Sequence, residues 1–145
     1  MAVVNNLTTL KVDPVREDEK MIFFSNGVDD NFIKKTAEMV LLGEKSEKKD
    51  LSIALVGEAR IKSLNWKYRR KNRTTDVLTF PDLDILICPM VVKDNAKKAG
   101  STFKAELARV VIHGVLHWLG YEHEKAEDKA KEMRKREERY LGNII

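Results

Sequence analysis

All three histidines of the chain fall within eleven residues: His113, His117 and His123. In an α-helix, residues four apart share a face, so His113 and His117 point the same way, one turn apart. Gly120 accepts a left-handed backbone cheaply and ends such a helix, which lets the chain turn back and bring His123 toward the pair. Three neutral imidazoles make a tripod for a metal ion and leave a fourth position open. A metal held this way polarises phosphoryl or carbonyl oxygens and lowers the pKa of bound water. A lone histidine reads first as an ordinary helix or turn residue. Here i, i+4, a helix-stopping glycine and i+10 occur together, and the conjunction favours a ligand set.

The spacing H-x-x-x-H-x-x-G-x-x-H is also that of the metzincin zinc peptidases. There a glutamate follows the first histidine and acts as general base. Here that position is Gly114, which has no side chain to take a proton. A metallopeptidase is therefore the weaker reading of the same ligand geometry. Glu106, seven residues before His113, lies on roughly the same helix face. It reads as a surface residue, with orientation of a ligand as the alternative.

A second feature is electrostatic. From Arg60 to Arg73 the sequence is RIKSLNWKYRRKNR, with seven bases and no acid. The chain as a whole carries +4, so the remainder sums to −3. Lys and Arg neutralise phosphates, and the interleaved Trp66 and Tyr68 offer faces on which unpaired bases stack. The plain alternative is a solvated helix and loop with Trp66 packed inward. Beside a metal site with an open position, phosphodiester chemistry is the more economical account.

The elements that position these residues are read from periodicity. Leu51–Val56 is nearly continuously apolar, as in a central strand covered on both faces. Asp76–Phe80 and Asp84–Cys88 form two more strands, separated by Pro81, Asp82 and Leu83, a gap that suits a tight hairpin. Met21–Phe24 is a further short β-prone run, and Val3–Val12 holds another candidate. Helical spacing covers Phe32–Leu41, capped by Asp29 or Asp30 and stopped by Gly43. A short helix follows Gly57. Pro89 opens a helix that ends at Gly100, and Ser101 or Thr102 caps the helix carrying the histidines. A last helix, about Glu124–Leu141, balances seven acids against seven bases from Glu122 to Arg139 and reads as solvated scaffold. The pattern is a single α+β domain over residues 1–145, with residues 1–20 as a peripheral extension. The metal site falls at the end of a central helix.

Composition bounds the rest. The single cysteine, Cys88, forms no internal disulfide and reads as a small buried residue, so a cytoplasmic setting is the default. No run approaches the ~20 apolar residues of a membrane span, and the first residues lack the pattern of a secretory signal.

Two blocks of the sequence resemble one family. His113-Gly-Val-Leu-His117-Trp-Leu-Gly120-Tyr121-Glu-His123 is similar to the H-G-x-L-H-x-x-G-Y-D-H signature of the bacterial YbeY family of rRNA maturation factors. Leu64-Asn65-Trp-Lys-Tyr68-Arg69 through Thr75-Asp76-Val77-Leu78-Thr79-Phe80-Pro81 resembles that family's L-N-x-x-Y-R-G-K-D-x-x-T-D-V-L-S-F-P. The resemblance spans roughly residues 51–141. It implies a small mixed sheet of about four strands flanked by helices. It also implies a metal-dependent, single-strand-specific endoribonuclease acting in rRNA maturation and ribosome quality control. On this pattern His113, His117 and His123 ligate one zinc ion and Arg69 is the functional arginine. Arg69, Arg70, Lys71 and Arg73 then contact RNA. The implied partners are single-stranded RNA or an rRNA precursor and the small ribosomal subunit, with neither membrane nor DNA. A ribosome-assembly factor with structural zinc is the non-catalytic alternative. The chain departs from the pattern at Glu122 for Asp, Arg70 for Gly and Asn72 for Asp. The segment between Pro81 and Asp84 is short, and the first 20 residues have no clear counterpart.

Overall fold

Leu51–Leu55 is the run that the sheet is built around. The computed structural model describes residues 8–12, 29–47, 50–81, 83–121 and 127–144. In chain order the elements are β1 (Thr8–Val12), α1 (Asp30–Gly43), β2 (Leu51–Leu55), α2 (Glu58–Arg69), β3 (Val77–Thr79), β4 (Asp84–Ile87), α3 (Pro89–Lys98), α4 (Phe103–Trp118) and α5 (Glu127–Gly142). The strands lie in the order β1-β2-β4-β3. β1 and β4 both pair parallel to β2, and β3 returns antiparallel on β4 with Leu78 opposite Leu86. The architecture is α+β. The candidate strand near the N-terminus is the edge strand β1, whereas Met21–Phe24 lies outside the described residues.

Strand period 2 sends alternate side chains to opposite faces. Ile53, Leu55, Ile85 and Ile87 face one way, into a core shared with α1, α4 and α5. Ala54, Val56, Leu86 and Cys88 face the other, against Leu78 and Ile61 of α2. A strand buried on both faces needs a nearly continuous apolar run, which residues 51–55 supply with Ser52 as the one polar member. Cys88 is buried in the second core.

Local chemistry sets the helix starts. The Asp29 side chain accepts from the Phe32 amide at 2.9 Å, and Thr102 Oγ1 accepts from the Ala105 amide at 3.1 Å. Pro89 occupies the first turn of α3, where its missing N–H costs nothing. Gly43 ends α1 for a reason that spacing does not reveal. A β-carbon there would lie 2.5 Å from the Tyr140 ring, so glycine is required by close packing of α5.

Candidate active site

Helix α4 runs through the middle of the larger core. Eleven of its sixteen residues are buried, among them Leu107, Val111, Val115 and Leu116. Each such aliphatic side chain contributes about 1.5–3 kcal/mol, several times the ~0–1 kcal/mol of an exposed ion pair. Packing therefore fixes where its two histidines stand. The indole of Trp118 adds a bond, donating to the Leu83 carbonyl at 3.3 Å.

His113 and His117 meet edge to face, with ring centroids 4.5 Å apart and planes at 74°. Both are half-buried. His113 Nδ1 lies 2.7 Å from Glu137 Oε1 on α5. A neutral imidazole bonded to a carboxylate in this way keeps its proton on Nδ1 and its lone pair on Nε2. The helix stops as its glycine predicts: Gly120 takes φ +107°, and the Tyr121 amide turns back to the Leu116 carbonyl at 3.0 Å. His123 lies outside the described residues. Among those described, no three His, Cys, Asp or Glu side chains converge on one point.

Gly114 separates this helix from a peptidase helix. A β-carbon at residue 114 would meet Ile85 Cγ2 at 3.1 Å and Val77 Cγ2 at 3.4 Å. The position faces the β3–β4 hairpin, so a glutamate there would enter the sheet rather than stand beside the histidines.

One turn before His113, Arg109 holds two acids. Its Nη2 and Nε donate to the Glu106 carboxylate at 2.6 and 3.0 Å, and Nη2 also reaches Asp76 Oδ2 at 3.4 Å. Bonding to Glu106 raises the Arg109 pKa against the opposing effect of burial, and the charges of Glu106, Asp76 and Glu137 add to it. Glu106 is thus not the surface residue its position in sequence suggested. It is 7% exposed, and its partner is Arg109 rather than a histidine. Through Arg109, Asp76 ties the start of β3 to the histidine helix.

The basic residues stand apart from this packed region. Arg69, Arg70, Lys71 and Arg73 are all exposed, and none pairs with an acid among the described residues. Arg70 is left-handed, with φ 57° and ψ 32°, at the position where the resembling pattern has glycine. Buried Asn65 donates to the Arg73 carbonyl at 3.0 Å and so shapes the loop. Trp66 is not packed inward: it is 50% exposed, and Tyr68 is 56% exposed. The Arg70 guanidinium lies 5.5 Å from the Trp66 ring centre. The loop runs through Asp76, and so through Arg109, to within one helical turn of His113.

A third cluster sits behind the histidine turn. The Glu44 carboxylate accepts from the Tyr121 hydroxyl at 2.7 Å, from the Tyr140 hydroxyl, and from Arg136 Nη1 at 2.8 Å. Burial pushes the Glu44 carboxyl up, but the bonds from Tyr140, Tyr121 and Arg136 outweigh it and hold it below the usual value. Burial first, and bonding to Glu44 second, push both Tyr121 and Tyr140 up to about 12.

The Endoribonuclease YbeY family model matches residues 18–144. The chain belongs to the YbeY family. An endoribonuclease YbeY of Thermotoga maritima is 41% identical over 100 residues, covering 65% of this chain and 67% of its own. The one from Thermosipho melanesiensis is 34% identical over 131 residues, covering 86% and 94%. A solution structure of a Thermotoga maritima protein superposes with a TM-score of 0.58 at 32% identity, over 92% of this chain and 87% of that one. β1 precedes the stretch that the YbeY model matches.

Glu137, Arg109 and Glu44 were not singled out by motif. Glu137 had a signal nonetheless. Ala130, Met133 and Tyr140 are the buried residues of α5, and Glu137 falls on their seam at 130, 133, 137 and 140. A carboxylate on the inner seam of an amphipathic helix asks for a partner.

Proposed function

We propose that the chain is a zinc-dependent endoribonuclease that cuts single-stranded RNA, acting on precursor or defective ribosomal RNA at the small ribosomal subunit in the cytoplasm. His113, His117 and His123 hold one zinc ion. Arg69 positions the scissile phosphate, and Arg70, Lys71 and Arg73 hold the flanking backbone. The observation that carries this reading is the His113–His117 pair, on a buried helix of a chain that belongs to the YbeY family.

The donors suit zinc: two imidazoles one turn apart, with the Nε2 lone pair of His113 fixed by the bond at Nδ1. Bound there, zinc supplies Lewis-acid stabilisation of charge on a phosphoryl oxygen. Arg69 grips two phosphate oxygens with its planar fork and limits the reacting geometry. The exposed Trp66 and Tyr68 favour unpaired bases, since a duplex offers no open base face. Products carrying a 2′,3′-cyclic phosphate would identify the RNA 2′-hydroxyl as nucleophile, and products without one would identify water. A peptidase is disfavoured by the packing at Gly114.

The test is zinc content and RNA cleavage by wild type, His117→Ala and Arg69→Ala. His117→Ala loses zinc and cleavage together. Arg69→Ala keeps zinc and loses about 10²–10³ in kcat, the typical loss on removing one charge-stabilising donor. Zinc and cleavage both intact in His117→Ala would overturn the assignment. A chelated protein that unfolds, from a zinc-loaded form that never cuts RNA, would leave a structural-zinc assembly factor instead.

A further inference from the structure

Building on the zinc assignment above, we infer that Glu137 is a positioning residue for the metal centre: it sets the tautomer and ring orientation of His113 from the neighbouring helix α5. The carboxylate oxygen lies 2.7 Å from Nδ1, and the two side chains are 23% and 17% exposed, so water competes weakly for the bond. Glu137 sits on the seam that buries Met133 and Tyr140, a place where a carboxylate costs desolvation unless it is paired. A stability role alone is a poor account, because an apolar residue on that seam would pack without such a cost.

The helix that presents Glu137 is itself held in rotation. Its neighbour Arg136 and its seam residue Tyr140 both bond the buried Glu44 carboxylate. The helix therefore cannot rotate Glu137 away from His113 without breaking these bonds. Its negative charge also makes the imidazole a better donor at Nε2, and loss of such an outer partner typically lowers metal affinity about 10–100-fold.

The experiment compares wild type, Glu137→Ala, Glu137→Gln and His117→Ala. Zinc affinity is measured by chelator competition. Imidazole tautomers of the metal-free proteins are read by long-range ¹H–¹⁵N NMR at pH 8. Wild-type His113 shows the Nδ1–H form. Glu137→Ala shifts His113 toward the Nε2–H form and lowers zinc affinity about 10–100-fold. Glu137→Gln still accepts from Nδ1–H, so it keeps the tautomer, and the missing charge gives a smaller loss of affinity. KM for RNA is unchanged in both. The inference is overturned if wild-type His113 carries its proton on Nε2. It is also overturned if Glu137→Ala stays within twofold of wild-type affinity while His117→Ala loses zinc. If Glu137→Ala does not fold, the wild-type spectrum and Glu137→Gln decide. A His117→Ala protein with wild-type affinity would sink the zinc assignment itself, and this inference with it.

Discussion

Helices α4 and α2 lie on opposite faces of one sheet and present their candidate site residues in opposite ways. α4 buries eleven of sixteen residues, its two histidines stand on that packed helix, and His113 is also bonded to Glu137. α2 buries only Ile61 and Asn65, and beyond it the basic loop is held by the Asn65 side-chain amide, the capping amides of Arg70 and Lys71, and one left-handed residue. A metal centre needs ligands held to fractions of an ångström, which a packed helix provides. A strand of RNA is long, flexible and charged, and exposed Arg and Lys on a solvated edge can follow it. Substitutions on α4 should therefore register in stability and metal affinity, and those beyond α2 in the salt dependence of binding.

The strongest challenge to that division is Gly114→Glu, which restores the peptidase signature in sequence. The new carboxylate would enter the sheet against Ile85 and Val77. Thermal or urea unfolding should show a loss of more than about 2 kcal/mol, with no peptidase activity gained. Next comes the solvated edge. Changing Arg70, Lys71 and Arg73 together to Gln should leave the melting temperature nearly unchanged. The slope of log K against log salt for single-stranded RNA should fall by about 2, at ~0.7 per lost phosphate contact. An unchanged slope would remove this loop from the RNA surface.

A smaller effect concerns the Glu44 cluster behind α4. Its carboxyl is held below the ordinary 4.5, so its contribution is present above that value and is lost as pH falls through the lower folded value. The two tyrosines move from 10.0 to about 12, so theirs is complete below pH 10 and fades between 10 and 12. Glu44→Gln should flatten both limbs of a stability–pH profile. The smallest change is Arg70→Gly. Relieving a left-handed arginine should raise stability by roughly 0.5–1 kcal/mol, read as a higher unfolding midpoint.

The readability of the sequence follows the same division. The central strand, the hairpin and the histidine helix were legible because apolar period and capping residues are local signals. Asp29, Thr102 and Gly120 act within a few residues of themselves. The basic loop was legible as charge, since solvated charges stay where composition places them. Partners made across the fold were not. The Glu106–Arg109–Asp76 network joins residues up to 33 positions apart, and Glu137 meets His113 across 24. The seam of α5 marks Glu137 as inward-facing but does not say which partner it meets, and the Arg109–Asp76 bond exists only once β3 packs on α4. Trp66 and Tyr68 are exposed, as base stacking requires and inward packing does not, because α2 has only Ile61 and Asn65 on its buried seam.

Glu44 and Tyr140 are 96 positions apart, yet they share a hydrogen bond near the end of the histidine helix. That bond closes a long loop, and it does so with the helix that carries Glu137. Detaching α5 requires Glu44 to release Tyr140 and Arg136 together, and the same opening frees the His113 ring. Local unfolding at the end of the chain therefore also breaks the bond at His113 Nδ1. Amide hydrogen exchange in α5 would then report how often the His113–Glu137 contact opens.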